Sequence, residues 1–261
     1  MIDIHCHILP GTDDGPETIE ESLEMCRIAA LDGIKVIVAT PHFRPGISES
    51  SQEKVSDLIA ILMDKVKQEC IDLQILPGSE VTFTAEMPDY IRNNEYLTIN
   101  GNGRYFLTEF YPSAVPLHWE TVLLSMLHSG YVPVLAHPER NSFFMNNPEG
   151  LSAIVRSGVL VQITAMSVTG ELGEEIQRLS IFLLKHNLVH VIATDAHSSV
   201  HRVPMLAEAV SIAADVIGKE HASALVTSVP AAITGGKTVI FPPPQLSDQK
   251  KKRWPQNILM Q

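Results

Sequence analysis

Seven short apolar runs recur along this chain, and stretches with helical periodicity separate them. That alternation constrains the fold more than any other feature. The runs lie at residues 3–7, 35–39, 73–76, 104–108, 132–136, 159–164 and 189–193. Between them, helices are expected from Thr18, at residues 51–70, 119–128, 150–156 and 171–186, and after the last run at about 204–217 and 220–227. Thr18 opens the first as a capping box with Glu21. In the second, Val55, Leu58, Ile59, Leu62 and Val66 make one apolar stripe. Residues 84–103 read as a short helix and a loop, and no element is assigned between Thr227 and Phe241. Strands that alternate with helices form a mostly parallel sheet with helices outside. Seven such units in 261 residues fit one distorted, TIM-like barrel over residues 1–241, with an irregular tail at 242–261. An open doubly wound sheet is the runner-up. No Gly-x-Gly-x-x-Gly loop follows the first run, which weighs against a dinucleotide site.

Parallel barrels carry their chemistry at the C-terminal ends of the strands. Taken in turn, those ends hold His5 and His7, His42, Glu80, Glu109, His137, then Asp195 and His197. Asp13 or Asp14 joins them from the first loop, and only the sixth run, ending Gln162-Ile-Thr164, brings no strong ligand. Any one of these is more often a cap or a solvated loop residue than a ligand. Their shared position on six of seven strands changes the reading, because burying so many ionisable groups together is costly without cations. Mixed imidazole and carboxylate suits Zn, Mn or Fe. Nine ligands are too many for one ion with open positions, so two or three are expected. Such a centre hydrolyses phosphate esters, with a hydroxide formed near neutral pH as nucleophile. Arg140, three residues past His137, is placed to clamp the remaining phosphate oxygens bidentately. Arg44 and Arg202 are weaker candidates for that clamp, each expected rather to be structural or solvated.

Composition excludes other classes. Nineteen basic against 30 acidic residues give a net charge of −11, without the basic footprint of a nucleic-acid binder. Cys6, Cys26 and Cys70 form no Cys-x-x-Cys pair, and reduced thiols suit a cytoplasmic protein. No signal-peptide pattern opens the chain, and no run is apolar and long enough to be an integral membrane segment. Cysteine-based tyrosine phosphatases place Arg six residues after the nucleophile, and here those positions hold Thr12, Asp32 and Leu76. Any phosphatase activity must then be metal-dependent. Cys6 is expected to pack under the helices, away from the ligands.

The ligand set resembles the PHP (polymerase and histidinol phosphatase) superfamily, most closely its bacterial tyrosine phosphatase branch of capsular and exopolysaccharide synthesis. The matching stretches are the run from Asp3 to Pro16, Ala39-Thr-Pro-His42, Gly78-Ser-Glu80, Glu109-Phe110, Ala136-His-Pro-Glu-Arg140 and Thr194-Asp-Ala-His197. The resemblance implies a PHP fold, a distorted (β/α)7 barrel with a trinuclear, manganese-favouring centre. By that pattern His5, His7, Glu80 and Asp195 would hold one ion, and Glu80 would bridge to a second shared with Glu109 and His137. Asp14, His42 and His197 would hold the third. Arg140 would bind the phosphate, with His42 and His197 beside it as catalytic side chains. The implied substrate is the phosphotyrosine tail of a cognate bacterial tyrosine kinase. Rival readings are a histidinol-phosphate or other small-molecule phosphomonoesterase, and a non-catalytic scaffold that docks a kinase. A metal-dependent amidohydrolase is also a rival, but the carboxylated Lys common in that class has no counterpart at these strand ends. The Lys250–Arg253 cluster is expected to be a solvated end.

Overall fold

All seven apolar runs form strands, but two of them break and continue as a second strand. The structure is a computed structural model that describes residues 1–246. The Lys250–Arg253 cluster and most of the expected tail lie outside the described residues. The strands are β1 (Ile2–Cys6), β2 (Val36–Ala39), β3 (His42–Phe43), β4 (Gln74–Pro77), β5 (Glu80–Thr82), β6 (Tyr105–Glu109), β7 (Val132–Ala136), β8 (Leu160–Thr164) and β9 (Val191–Ala193). They pair in parallel as β1-β2-β4 and as β3-β5-β6-β7-β8-β9.

The expectation that His42 and Glu80 simply follow the ends of the second and third strands is therefore corrected. Each begins a new strand, and His42 stands opposite Glu80 in the β3–β5 register. The breaks have local causes. Pro41 carries no N–H for the ladder. At Gly78 a Cβ would come 2.7 Å from Val38 Cγ1, so a side chain there would collide with the neighbouring strand. Chain segments 36–43 and 74–82 thus run from one sheet into the other.

The remaining seam closes the ring. Asp195 N donates to His5 O and His7 N to Ala196 O, both at 2.8 Å. Asp3, buried beneath, accepts from Thr194 N at 3.1 Å and from Thr194 Oγ1 at 2.5 Å. Seven strand paths therefore enclose a distorted (β/α)7 barrel, and the open doubly wound alternative falls away.

Period-two alternation sorts the side chains into two cores. Inside the barrel lie Ile4, Val38, Tyr105, Leu107, Val134, Leu160, Val191 and Ala193. Phe106, Leu135, Val161, Ile163 and Ile192 point outward, under the helices. Cys6 packs in that outer core, as expected. In β1 one extra residue stands between Asp3 and Cys6 relative to β2, and such a bulge re-aims the side chains beyond it.

The outer helices form where the periodicity places them, at Ile19–Leu31, Gln52–Gln68, Trp119–His128, Pro148–Arg156, Glu174–Lys185 and Ala207–Ile217. Thr18 and Ser51 accept from the backbone N–H of Glu21 and Lys54, each at 3.2 Å, and so cap the first two. Val55, Leu62 and Val66 bury their stripe against the sheet, each contributing about 1.5–3 kcal/mol. The helix Ser228–Thr234 was not expected from the sequence, where Pro230 interrupts the pattern. It plugs the end of the barrel away from the ligands: Val229 and Ile233 enter the inner core, and Asn102 Nδ2 bonds Ile233 O at 2.8 Å.

Candidate metal centre

The inner positions that follow the apolar layer carry the ligands. Leu107 leads to Glu109 two residues on, and Ala193 leads to Asp195. His137 and Asp195 both take left-handed backbone, at φ of 34° and 52°. For residues other than glycine this conformation is uncommon, and it turns each side chain back over the barrel mouth. All nine residues singled out from the sequence meet at this mouth. Their ligand atoms gather as His7, Asp14, His42 and His197; as His5, His7 and Glu80; as His5, His137 and Asp195; and as His42, Glu80 and Glu109.

The distances are those of shared coordination spheres. His5 Nε2 lies 3.2 Å from His7 Nε2, and 3.3 Å from both Glu80 Oε1 and Asp195 Oδ1. Ligand atoms about 2.1 Å from one tetrahedral ion stand about 3.4 Å apart. Glu80 is central, with Oε1 at 2.9 Å from His137 Nε2 and Oε2 at 3.4 Å from His7 Nε2. His42 Nδ1 and Glu80 Oε2 approach to 3.0 Å, yet both are buried without a hydrogen-bond partner. Buried polar atoms left in this way are what a cation would satisfy, so the donor set fits divalent metal. Glu109 Oε1 accepts from Thr82 Oγ1 at 3.1 Å and faces His42 Nδ1 at 3.3 Å, whereas His137 gathers with His5 and Asp195.

The two acidic neighbours make different contacts. Asp14 Oδ1 stands 3.4 Å from His42 Nε2 and 3.3 Å from His197 Nε2. Asp13 instead orients: its Oδ2 accepts from His7 Nδ1 at 2.6 Å and from His42 N at 2.9 Å, and its Oδ1 accepts from Gly15 N at 3.0 Å. Gly15 is required here, since a Cβ would lie 2.4 Å from His7 O. A carboxylate on the far nitrogen fixes the ring of a metal-binding histidine and raises its basicity. Gln162 does the same for His5, with Oε1 at 2.9 Å from Nδ1, and Asp195 O serves His197 Nδ1 at 2.9 Å. The sixth run thus contributes an orienting residue where sequence reasoning found none. Its signal was a polar side chain at an inward position of a buried strand.

These groups shift one another strongly. Burial pushes His7 down, but Asp13 and Glu80 outweigh it and raise it to about 9. His42 is raised against its own burial to about 12 by Asp14, Glu109 and Glu80. In His197 burial prevails and lowers the imidazole. Burial opposes ionisation of Glu80, but the surrounding histidines hold it well below the usual carboxylate range.

Three arginines line the same pocket. Arg140 Nη1 donates to Asp195 Oδ2, and Arg202 Nη2 to Asp195 O at 2.8 Å. Arg44 Nη2 reaches His42 Nε2 at 2.9 Å and Glu109 Oε1 at 3.4 Å. Arg44 and Arg202, the weaker clamp candidates, are both tied to ligand residues, Arg44 to Glu109 and Arg202 to Asp195. Arg140 does not pair with Glu139. Glu139 is buried and accepts from Thr164 N at 3.0 Å and Ser167 Oγ at 2.6 Å, which ties the turn carrying Arg140 to the exit of β8.

Residues 1–234 match the family described as "Capsular polysaccharide synthesis, CpsB/CapC". The chain belongs to the CpsB/CapC family. Among its relatives, tyrosine-protein phosphatase YwqE of Bacillus subtilis is 34% identical over 251 residues, covering 96% of this chain and 98% of that protein. Tyrosine-protein phosphatase CpsB of Streptococcus pneumoniae is 32% identical over 238 residues, covering 89% and 98%. A crystal structure from a study of YwqE and S. pneumoniae CpsB, described as unique metal-dependent tyrosine phosphatases, superposes with a TM-score of 0.89. It is 34% identical and covers 95% of this chain and 100% of that one. Histidinol phosphate phosphatase of Lactococcus lactis shares the fold alone, at TM-score 0.54 and 15% identity over 84% of this chain and 92% of that one. The two tyrosine-protein phosphatases, YwqE and CpsB, are each matched over 98% of their own length. Among the described residues, no helix is long and apolar enough to cross a membrane.

Proposed function

We propose that this chain is a metal-dependent protein tyrosine phosphatase. It acts on phosphotyrosine in a cognate bacterial tyrosine kinase that regulates capsular or exopolysaccharide synthesis, in the cytoplasm. The observation that carries this reading is a cluster of nine ligand-type side chains, seven of which line one pocket together with three guanidiniums. The names borne by its CpsB/CapC relatives support the substrate class. The centre takes three ions, manganese before iron or zinc, held by His5, His7, Asp14, His42, Glu80, Glu109, His137, Asp195 and His197.

Divalent ions in such a site supply Lewis-acid polarisation of the phosphoryl group and lower the pKa of water. The protein supplies the rest. Arg140 and Arg202, on the Asp195 side, present planar N–H forks that match two phosphoryl oxygens. Asp195 holds the Arg140 fork directly, and Glu139 ties the turn that carries Arg140 to the exit of β8. His42 and His197 turn their Nε2 atoms to Asp14 at the outer edge of the pocket, beside the departing group. The phenol has a pKa near 10, so the leaving oxygen needs little help from a proton donor. No cysteine lines the pocket: Cys6 and Cys26 are buried in the outer core, and Cys70 is exposed just past the end of the helix Gln52–Gln68.

The test is phosphate release by metal-stripped protein with and without Mn²⁺, from a phosphotyrosine peptide and from histidinol phosphate. Manganese-dependent turnover favouring the peptide is expected. Preference for histidinol phosphate would keep the chemistry and move the substrate class. Metal binding without turnover of either would overturn the reading in favour of a scaffold.

A further inference from the structure

One wall of the pocket holds neither ligand nor charge. It is built by Phe110, Tyr111 and Pro112 from the loop after β6, with Pro138 from the turn after β7. The two segments are fastened to each other. Asn141 Nδ2 donates to Tyr111 O at 2.8 Å, and Ser142 N donates to Pro112 O at 3.0 Å. The residues that follow Arg140 therefore fix the position of this wall relative to the guanidinium.

The wall is also backed from below. The Phe110 ring packs 4.8 Å from Phe83, 5.5 Å from Trp119 and 6.0 Å from Phe144, centroid to centroid. Trp119 and Phe144 cross at 90°, 5.4 Å apart, an edge-to-face contact that aromatic pairs favour. Phe110 is buried at 4% exposure by this cluster, whereas its neighbour Tyr111 is 50% exposed at the rim. Tyr111, Pro112 and Pro138 thus form a continuous apolar stretch of the pocket lining beside Arg140, on a rigid aromatic base.

We infer that Tyr111 and Pro112 form an aryl shelf that takes the ring of the phosphorylated tyrosine, so that this chain selects aryl over alkyl phosphate esters. The inference rests on the phosphatase reading above. A phosphoryl group held between Arg140 and the ligand cluster has Pro138 and Pro112 at its side. The ring of an aryl ester then lies along the shelf in the offset or edgewise geometry that Tyr111 offers. A phosphoserine carries no ring, and its short side chain brings polar peptide backbone against the same apolar wall.

Wild type, Tyr111→Ala and Tyr111→Phe are compared with Mn²⁺ on one peptide carrying either phosphotyrosine or phosphoserine. Inorganic phosphate serves as competitive inhibitor. Tyr111→Ala is expected to raise KM for the phosphotyrosine peptide about tenfold. The phosphoserine rate and the phosphate inhibition constant stay as in wild type, and Tyr111→Phe retains the selectivity. Equal losses on both peptides, or a matching change in phosphate inhibition, would mean a distorted pocket and overturn the shelf. Wild-type turnover of phosphotyrosine with unchanged selectivity in Tyr111→Ala overturns the shelf alone. Wild type that releases no phosphate from the phosphotyrosine peptide overturns the phosphatase reading and the shelf with it.

Discussion

Replacing Asp13 by asparagine tests whether the centre depends on how its histidines are aimed. Asp13 accepts from His7 Nδ1, from the backbone N–H of His42 and from that of Gly15. An amide keeps the shape but has one accepting oxygen instead of two, so one of these three N–H groups faces an N–H donor. The negative charge beside His7 is lost as well. Asp13 and Glu80 together hold that imidazole near 9 against its burial, so without Asp13 it becomes a weaker base and a weaker ligand. A hydrogen bond to a charged partner is worth about 1.5–3 kcal/mol. Loss of such an outer partner weakens metal binding about 10- to 100-fold, which is about 1.4–2.7 kcal/mol. The assay is calorimetric titration of metal-stripped protein with Mn²⁺, followed by phosphate release at saturating metal. In Asp13→Asn the binding midpoint rises by that factor while the saturated rate recovers and the number of ions bound is unchanged. In Asp14→Asn, by contrast, the stoichiometry itself falls. Wild-type affinity in Asp13→Asn, or a lost ion there with full stoichiometry in Asp14→Asn, would refute the division of labour between the two carboxylates.

Two further outcomes follow from other contacts. His137→Ala and Arg140→Ala both lose most activity, but the first also lowers bound metal and the second leaves it unchanged; full turnover in Arg140→Ala would remove the phosphate clamp. His190 accepts from Val161 N at 3.0 Å, and burial lowers it from 6.5 to about 3. Below pH 6.5 the unfolded chain takes up a proton that the native imidazole refuses, so the contribution is full above pH 6.5 and lost as pH falls toward 3. At pH 5 the loss is about 2 kcal/mol. Urea midpoints of metal-stripped wild type and His190→Gln at pH 7 and pH 5 measure it, and equal pH dependence in the two would contradict the buried neutral ring.

The barrel and its ligand face were legible because both depend on short-range pattern. Inward positions two apart, such as Leu107 and Glu109, are set by the pleat, so a ligand after an apolar run declares its side. The two breaks were hidden, because at Gly78 the decisive contact is with Val38, forty residues earlier. Gln162 was passed over for a similar reason: an amide is a poor ligand by type, and only its contact with His5 gives it a task. Arg44 and Arg202 read only as weaker clamp candidates, because their contacts with Glu109 and Asp195 are made by the fold and not by local sequence. The helix Ser228–Thr234 owes its existence to the open barrel end it covers rather than to its own propensity.

The seam between the first and last strands has a consequence for how the protein is made. Asp195 and His197 leave the ribosome 190 residues after their partners His5 and His7. A nascent chain holding the first motif alone therefore owns two histidines and no cage. Such long-range closure folds late. Tight ion capture is then delayed until both ends have met, and metal uptake during refolding reports completion of the ring rather than formation of any one part of it.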